Sequence, residues 1–457
     1  MRWTNKHDAN GGEYAVRSVS RSFPFSNSET WSKCQRCLPH AYVCIEFIAQ
    51  RRIGSLEAAG LLYRMGRYLD DRGQYAEAEP HVQEAFAISK KILGSEHPQV
   101  GNILRELAVL YHARGKYTQA ESLHKQVLES YQKVLGPEHP EVARSLDDLA
   151  GLYRDQGKYK EAESLYHRAL KIRKKVLGPE HRELGATLNN LALLYYSQGR
   201  YTEAEPLYMQ ALNTKMQGPE SIGLSSNLCN LAETYRVQGK YKQAEPLSQR
   251  ALEICERIQG PEHPEVANKI NNLGMIYYEQ GKHAEAELLY RRALKIFENA
   301  LGSNHPNVAQ TLSNLGTLYH AQGKRAEAEP LLKRAWTIGE LTLGPTHPNV
   351  ANYLSNLAVL YHNQGRYAEA ESLYRQAISI WETLELKHLL LVGTLMGYAA
   401  LLRETKQESR AIQVEARARA IQAMVQTKNK TNSKGSRKAE GSHRPKRNIR
   451  RPLKKAE

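Results

Sequence analysis

A glycine-centred turn returns along this chain at Gly73, Gly115, Gly157, Gly199, Gly239, Gly281, Gly323 and Gly365, at intervals of 42 residues apart from a single interval of 40. A second glycine keeps step with it, at Gly94, Gly136, Gly178, Gly218, Gly260, Gly302 and Gly344. His-Pro follows this second glycine at 97–98, 139–140, 263–264, 305–306 and 347–348. The remaining two linkers depart, reading GPEHREL and GPESIGL. A fixed period of this size means one small supersecondary unit copied many times, each too small to bury its apolar face alone. The 457 residues would otherwise suggest about three globular domains. The period replaces them with one elongated array.

Each unit reads as two helices. In PEVARSLDDLAGLYRDQ, residues 140–156, the apolar positions Val142, Leu146, Leu149, Leu152 and Tyr153 fall on one helical stripe. Pro at the first turn wastes no hydrogen bond, and the preceding His sits at the N-cap. Gly157 suits the left-handed residue that closes a helix. A second helix over about 159–177 turns Ala162, Leu165, Tyr166, Ala169, Leu170 and Ile172 inward. Pro80, Pro206, Pro246 and Pro330 lie one turn into this second helix, where a missing donor costs little.

Small residues recur where helices must approach. Ala78, Ala120, Ala162, Ala204, Ala244, Ala286, Ala328 and Ala370 form one unbroken column. Ala150, Ala192, Ala232, Ala358, Gly274 and Gly316 form another. Large residues recur where a gap must be filled. Tyr111, Tyr153, Tyr195, Tyr235, Tyr277, Tyr319 and Tyr361 make one column, and Tyr75, Tyr117, Tyr159, Tyr201, Tyr241 and Tyr367 a second. The tyrosines therefore read as core and inter-unit packing.

Net charge is +16, which invites a nucleic-acid reading until it is located. Residues 428–457 carry +10, residues 1–52 carry +4, and residues 53–427 only +2. The array is nearly neutral and the basic character belongs to its ends. The longest charge-free apolar stretch, Leu389 to Leu402, is shorter than the ~20 residues of a membrane span. No apolar run follows the basic residues of MRWTNKHDANGGEYAVRS, so it does not read as a secretory signal. Cys34, Cys37, Cys44, Cys229 and Cys255 are odd in number and fit free thiols in a reducing compartment. The expectation is a cytoplasmic protein with no membrane partner.

The pattern Leu-x3-small-x2-Tyr-x3-Gly-x-Tyr-x2-Ala-x3-Tyr-x2-Ala-Leu resembles the tetratricopeptide repeat. The 42-residue form, with LGPEHPEVA, NNLALLY and QGRYTEAEPLYMQAL, is similar to its kinesin-light-chain subtype. The resemblance covers eight units over about 53–385 and a worn ninth from Tyr398. It implies an all-α fold, a right-handed α-solenoid of helix-turn-helix repeats. It divides the chain into a flexible segment 1–27, a helical lead-in 28–52, the array 53–427 and a disordered basic tail 428–457. A narrower resemblance joins WSKCQRCLPHAYVCIEFI and EAAGLLYRMGRYLDDRGQY to the segment leading into the repeats of bacterial NB-ARC-type signalling ATPases. No GxxxxGK[ST] occurs in this chain, so no NTPase activity is carried over. No heptad pattern occupies 1–52, so a motor-binding segment of the kinesin-light-chain kind is not expected.

In the family the first helix of each unit lines a concave groove that takes extended or short helical peptides. The resemblance places Glu106, Asp148, Asn190, Asn230, Asn272, Asn314 and Asn356 in that groove. The five Asn form a ladder of amides able to donate to and accept from a peptide backbone. The competing use is bonding between neighbouring repeats. Asn189 and Asn271 fall in the adjacent column, and Arg154, Tyr196, Arg236 and Tyr278 one turn on. Arg154 and Arg236, read as unpaired beside Asn and Tyr, would suit a peptide with acidic and aromatic residues.

Cys34, Cys37, His40 and Cys44 are four potential zinc ligands. All lie within eleven residues, and spacings of three, three and four also describe one face of a packed helix, which is the reading adopted. No metal and no cofactor is expected. The EHPEV linkers lack the order of HExxH, and no Ser-His-Asp signature or phosphate loop is present. The chain reads as a non-enzymatic scaffold for protein or peptide partners. Two alternatives stand beside it. One is weak, non-specific nucleic-acid or acidic-partner contact through the aromatic-free tail. The other is a detached sensor module of an NB-ARC-type ATPase.

Overall fold

The computed structural model describes residues 8–25, 30–214, 221–383 and 389–423. The tail at 428–457 lies outside them. Among the described residues the regular structure is entirely helical. Two helices precede the array, α1 (Asp8–Ser22) and α2 (Trp31–Arg51). Eight pairs follow. They are α3 (Leu56–Asp71) with α4 (Tyr75–Leu93), α5 (Pro98–Ala113) with α6 (Tyr117–Leu135), and α7 (Pro140–Asp155) with α8 (Tyr159–Val176). Next come α9 (Arg182–Ser197) with α10 (Tyr201–Leu212), α11 (Ile222–Val237) with α12 (Tyr241–Gln259), and α13 (Pro264–Glu279) with α14 (His283–Leu301). The last two are α15 (Pro306–Ala321) with α16 (Arg325–Leu343) and α17 (Pro348–Asn363) with α18 (Tyr367–Thr383). A ninth pair, α19 (Leu389–Glu404) and α20 (408–423), ends the described chain.

The linker sequence sets each helix start. His97, His139, His181, His263, His305 and His347 are N-caps, each accepting at Nδ1 from the backbone N–H two residues on, at 3.0–3.2 Å. Where GPESIGL has lost the histidine, Ser221 takes over and accepts from Leu224 N at 3.1 Å. The eight-alanine column is fully buried. Gly274 shows why the first-helix column stays small: a Cβ there would stand 2.7 Å from Tyr290 Cε1.

One recurrent device was not anticipated. The glutamate after each column alanine faces the next unit. Glu121 accepts from Tyr153 Oη at 3.0 Å and from Lys158 Nζ at 2.9 Å. Lys158 also sits 5.1 Å above the Tyr153 ring. Glu163, Glu205, Glu287, Glu329 and Glu371 accept from Tyr195, Tyr235, Tyr319, Tyr361 and Tyr398 in the same way, at 2.7–3.0 Å. Six of the eight units are thus riveted to the next by a glutamate, a tyrosine and a cation, while Glu79 accepts from Arg114 and Lys116 and Glu245 from Gln280 and Lys282.

The N-terminal segment departs from expectation. Within 1–27, read as flexible, Asp8–Ser22 is a helix, and Val16 and Phe23 are buried against the first unit. Arg64 Nη2 donates to Ser20 Oγ at 2.7 Å, tying α1 to α3. The amphipathic spacing of Val16 and Val19 is too brief to stand out in a polar sequence. Cys34 and Cys44 are buried on α2, where burial pushes both thiols up, and Cys37 is half-buried. Among the described residues no group of three or more His, Cys, Asp or Glu is placed to hold a metal. No described helix is long and apolar enough to cross a membrane.

Beyond nearest neighbours, the array also touches itself. α4 of the first unit meets α16 of the seventh. Arg72 Nη2 donates to the Leu301 carbonyl at 3.5 Å, and His305 is hydrogen-bonded to the Asp71 backbone. One unit further on, His347 is hydrogen-bonded to the Ala113 backbone in the same manner.

Candidate functional site

Successive first helices touch one another, α7 with α9, α9 with α11, and so on to α17 with α19. They form the inner wall of the curve. Asn190, Asn230, Asn272, Asn314 and Asn356 are all half-buried on that wall. Asn230 Nδ2 donates to Asn189 Oδ1 at 2.9 Å, Asn272 Nδ2 to Cys229 Sγ at 3.0 Å and Asn356 Nδ2 to Ser313 Oγ at 2.9 Å. Each bond crosses from one unit to the preceding one. The carbonyl oxygens of Asn230, Asn272 and Asn356 accept no bond among the described residues. Asn314 Oδ1 accepts from Gln310 at 3.1 Å. Asn271 is buried behind the row and donates to Thr311 Oγ1 at 2.7 Å. Val109, Leu193, Met275 and Val359 stand three residues beyond the Asn column and make part of the wall apolar.

The charged candidates are already paired. Arg154 Nε donates to Asp155 Oδ1 at 2.7 Å, and Asp155 Oδ2 meets His112 Nε2 at 2.8 Å. Burial opposes ionisation of Asp155, but the His112 hydrogen bond and the Arg154 charge outweigh it and hold the carboxyl down at about 2. Arg236 uses Nε and Nη2 on Glu233, at 2.7 and 2.8 Å, and Nη1 on Glu279 at 3.0 Å. Tyr196 Oη donates to the same Glu233 at 2.9 Å. Tyr278 is half-buried beside His283, with ring centroids 5.8 Å apart. Arg67–Glu106 at 2.9 Å and Arg105–Asp148 at 3.2 Å continue the pattern toward the N-terminus. The unpaired arginines expected from sequence are therefore neutralised by acids on their own or the following unit. Their partners, Asp155, Glu233 and Glu279, sit in columns that carry no fixed residue type, so the period did not mark them.

A cleft opens where the wall meets the self-contact. His112, Tyr117, Arg154 and Asp155 line it from the early units, and Asn349, Asn352 and Trp381 from the eighth. Sequence separation hid this meeting.

A tetratricopeptide-repeat family profile matches residues 57–133, 100–174, 148–217, 224–299, 265–340, 325–383 and 349–423. A nucleotide-binding leucine-rich repeat (NLR)-like protein of Hyaloscypha variabilis is 34% identical over 84 residues, 18% of this chain and 8% of that protein. The chain thus spans less than a tenth of that relative's length. Among solved structures, a Rap protein complexed with Competence and Sporulation Factor is 16% identical, covering 81% of this chain and 99% of its own with a TM-score of 0.53, which shows a shared fold. BtubC (BKLC) from P. vanneervenii is 19% identical over 57% of this chain and 98% of its own, TM-score 0.39. A Podosopora anserina putative kinesin light chain with nearly identical TPR-like repeats is 27% identical over 45% of this chain and 99% of its own, TM-score 0.37.

Proposed function

This chain belongs to the tetratricopeptide repeat family, and we propose that it is a non-enzymatic scaffold that holds peptide segments of partner proteins against its inner wall. The observation that carries this reading is the Asn row. One amide hydrogen of Asn230, Asn272 and Asn356 is spent between units, which fixes each side chain in place. The carbonyl oxygens left over are acceptors at one-unit intervals, suited to the N–H groups of an extended backbone. The apolar positions beside them suit its side chains. With Arg154 and Arg236 internally paired, a strongly acidic ligand is not favoured. Each such bond contributes about 1 kcal/mol, so binding must be summed over several units. The test is affinity capture of partners by the wild type and by the double variant Asn272→Ala, Asn356→Ala, with quantitative mass spectrometry. Loss of specific partners supports the reading; an unchanged partner list ends it.

The kinship with an NLR-like protein supports a second reading, a repeat module working with a separate nucleotide-binding chain. A P-loop protein among the captured partners, retained in the presence of ATP, would favour it.

A further inference from the structure

The self-contact has a repeating geometry. In both places the N-terminal end of a first helix meets the C-terminal end of the first helix six units earlier: His305 of the seventh unit over Gly73, and His347 of the eighth over Gly115. The fit is close. A Cβ on Gly73 would lie 2.6 Å from Pro306 Cδ and 2.8 Å from His305 Cδ2, and one on Gly115 3.3 Å from His347 Cδ2. Six units therefore complete one turn of the coil, and the next turn touches the first at these two points, beside the cleft. The first helices are 16 residues each from α3 to α17, and at both contacts the C-terminal end of one meets the N-terminal end of another a turn later.

Six first helices to a turn, set at the roughly 10 Å spacing of packed helices, form a hexagon whose radius equals its side. Subtracting half the roughly 10 Å width of a side-chain-clad helix leaves a bore on the order of 10 Å. That admits one extended chain and excludes a folded domain. We propose that the contact between the first two and the seventh and eighth units is a clasp that closes the groove into a ring, so that the partner it fits is a single unfolded polypeptide segment, entering by a free end or when the clasp opens. The proposal rests on the groove being the binding surface, but the experiments below use no partner and can fail independently of that reading.

The linker histidines supply an internal control. His305→Ala with His347→Ala removes two helix caps and the clasp. His139→Ala with His181→Ala removes two equivalent caps that, among the described residues, meet no other turn. We expect the first double variant to show a larger maximum dimension in solution X-ray scattering. Its amide exchange at 71–75 and 113–117 should be at least tenfold faster than in the wild type. The second double variant should keep wild-type values for both. Equal behaviour of the two variants overturns the clasp. The bore is tested by placing a thiol at mid-height of the ring, Asn190→Cys in a Cys37→Ser background, and comparing N-ethylmaleimide with a maleimide carried on a folded protein. After correction for an exposed control cysteine, the carried reagent should react at least 100-fold slower, and the clasp-open variant should shrink that ratio at least tenfold. A ratio near one in the wild type overturns the closed ring.

Discussion

At the residue scale, the strongest regularity is the glutamate that rivets one unit to the next. Burial alone would raise Glu121, but hydrogen bonds from Lys125, Lys158 and Tyr153 hold its carboxyl at about 2. At Glu329 the hydrogen bond from Lys333 leads, with Arg366 and Tyr361, and the result is again about 2. Carboxyls held below their unfolded value contribute stability that is present above about pH 4.5 and lost as pH falls toward 2. Thermal denaturation followed by circular dichroism across that window should show a falling midpoint. Glu121→Gln should flatten the slope and cost about 1 kcal/mol at neutral pH. The clasp histidines act in a neighbouring window. Burial, with Arg72 near His305 and His112 near His347, pushes both imidazoles down to about 4, against the pull of the Asp71 and Ala113 carbonyls and of Asp155. Their stability is complete above the unfolded value near 6.5 and drains away as pH falls from there to about 4. Scattering at pH 7 and pH 4.5 should show the coil loosening, and His305→Ala with His347→Ala should remove that dependence. Sequence made the tyrosine columns legible because Tyr is rare enough to mark a position. The glutamates escaped notice because Glu is the ordinary residue of a solvated helix face. Only the next unit's tyrosine and lysine give it a task.

At the scale of the element, helix boundaries were readable almost to the residue. Pro, His and Gly each act through local backbone geometry, which needs no tertiary knowledge. The same glycine nevertheless does two jobs. Gly281 has φ +76°, and a Cβ there would meet nothing within 4 Å, so only conformational strain opposes a side chain. Gly281→Ala should cost roughly 1–2 kcal/mol, the penalty for a left-handed residue. Gly73 has φ +66° and also Pro306 and His305 against it. Gly73→Ala should cost measurably more, and urea denaturation of the two variants side by side gives the difference. What the elements bring together in the groove was less legible. The Asn row was marked by the family resemblance, whereas Asp155, Glu233 and Glu279 were not, since the acids that neutralise Arg154 and Arg236 occur in columns of no fixed residue type.

At the scale of the whole molecule, stability should be distributed unevenly. α10 has 12 residues where its counterparts have 17 to 19, and the unit after it lacks the histidine cap. In a one-dimensional array the weakest interface opens first. Amide exchange should therefore be faster in α10 and α11 than in α8 or α14, and equilibrium unfolding in urea should deviate from two states. A closed ring works against that weakness, because ends that touch restrain a break in the middle. The number of units per turn could not be read from the period, since a 42-residue repeat is compatible with many superhelical pitches. The six-unit turn also gives copy number a meaning that sequence similarity between repeats conceals. Gain or loss of a single repeat would leave the packing inside each remaining unit intact. It would still re-register the coil, bringing a different linker onto Gly73, and a chain with fewer than seven units would have nothing to close upon. In such a molecule the count of repeats is itself an inherited trait, separate from the identity of any residue within them.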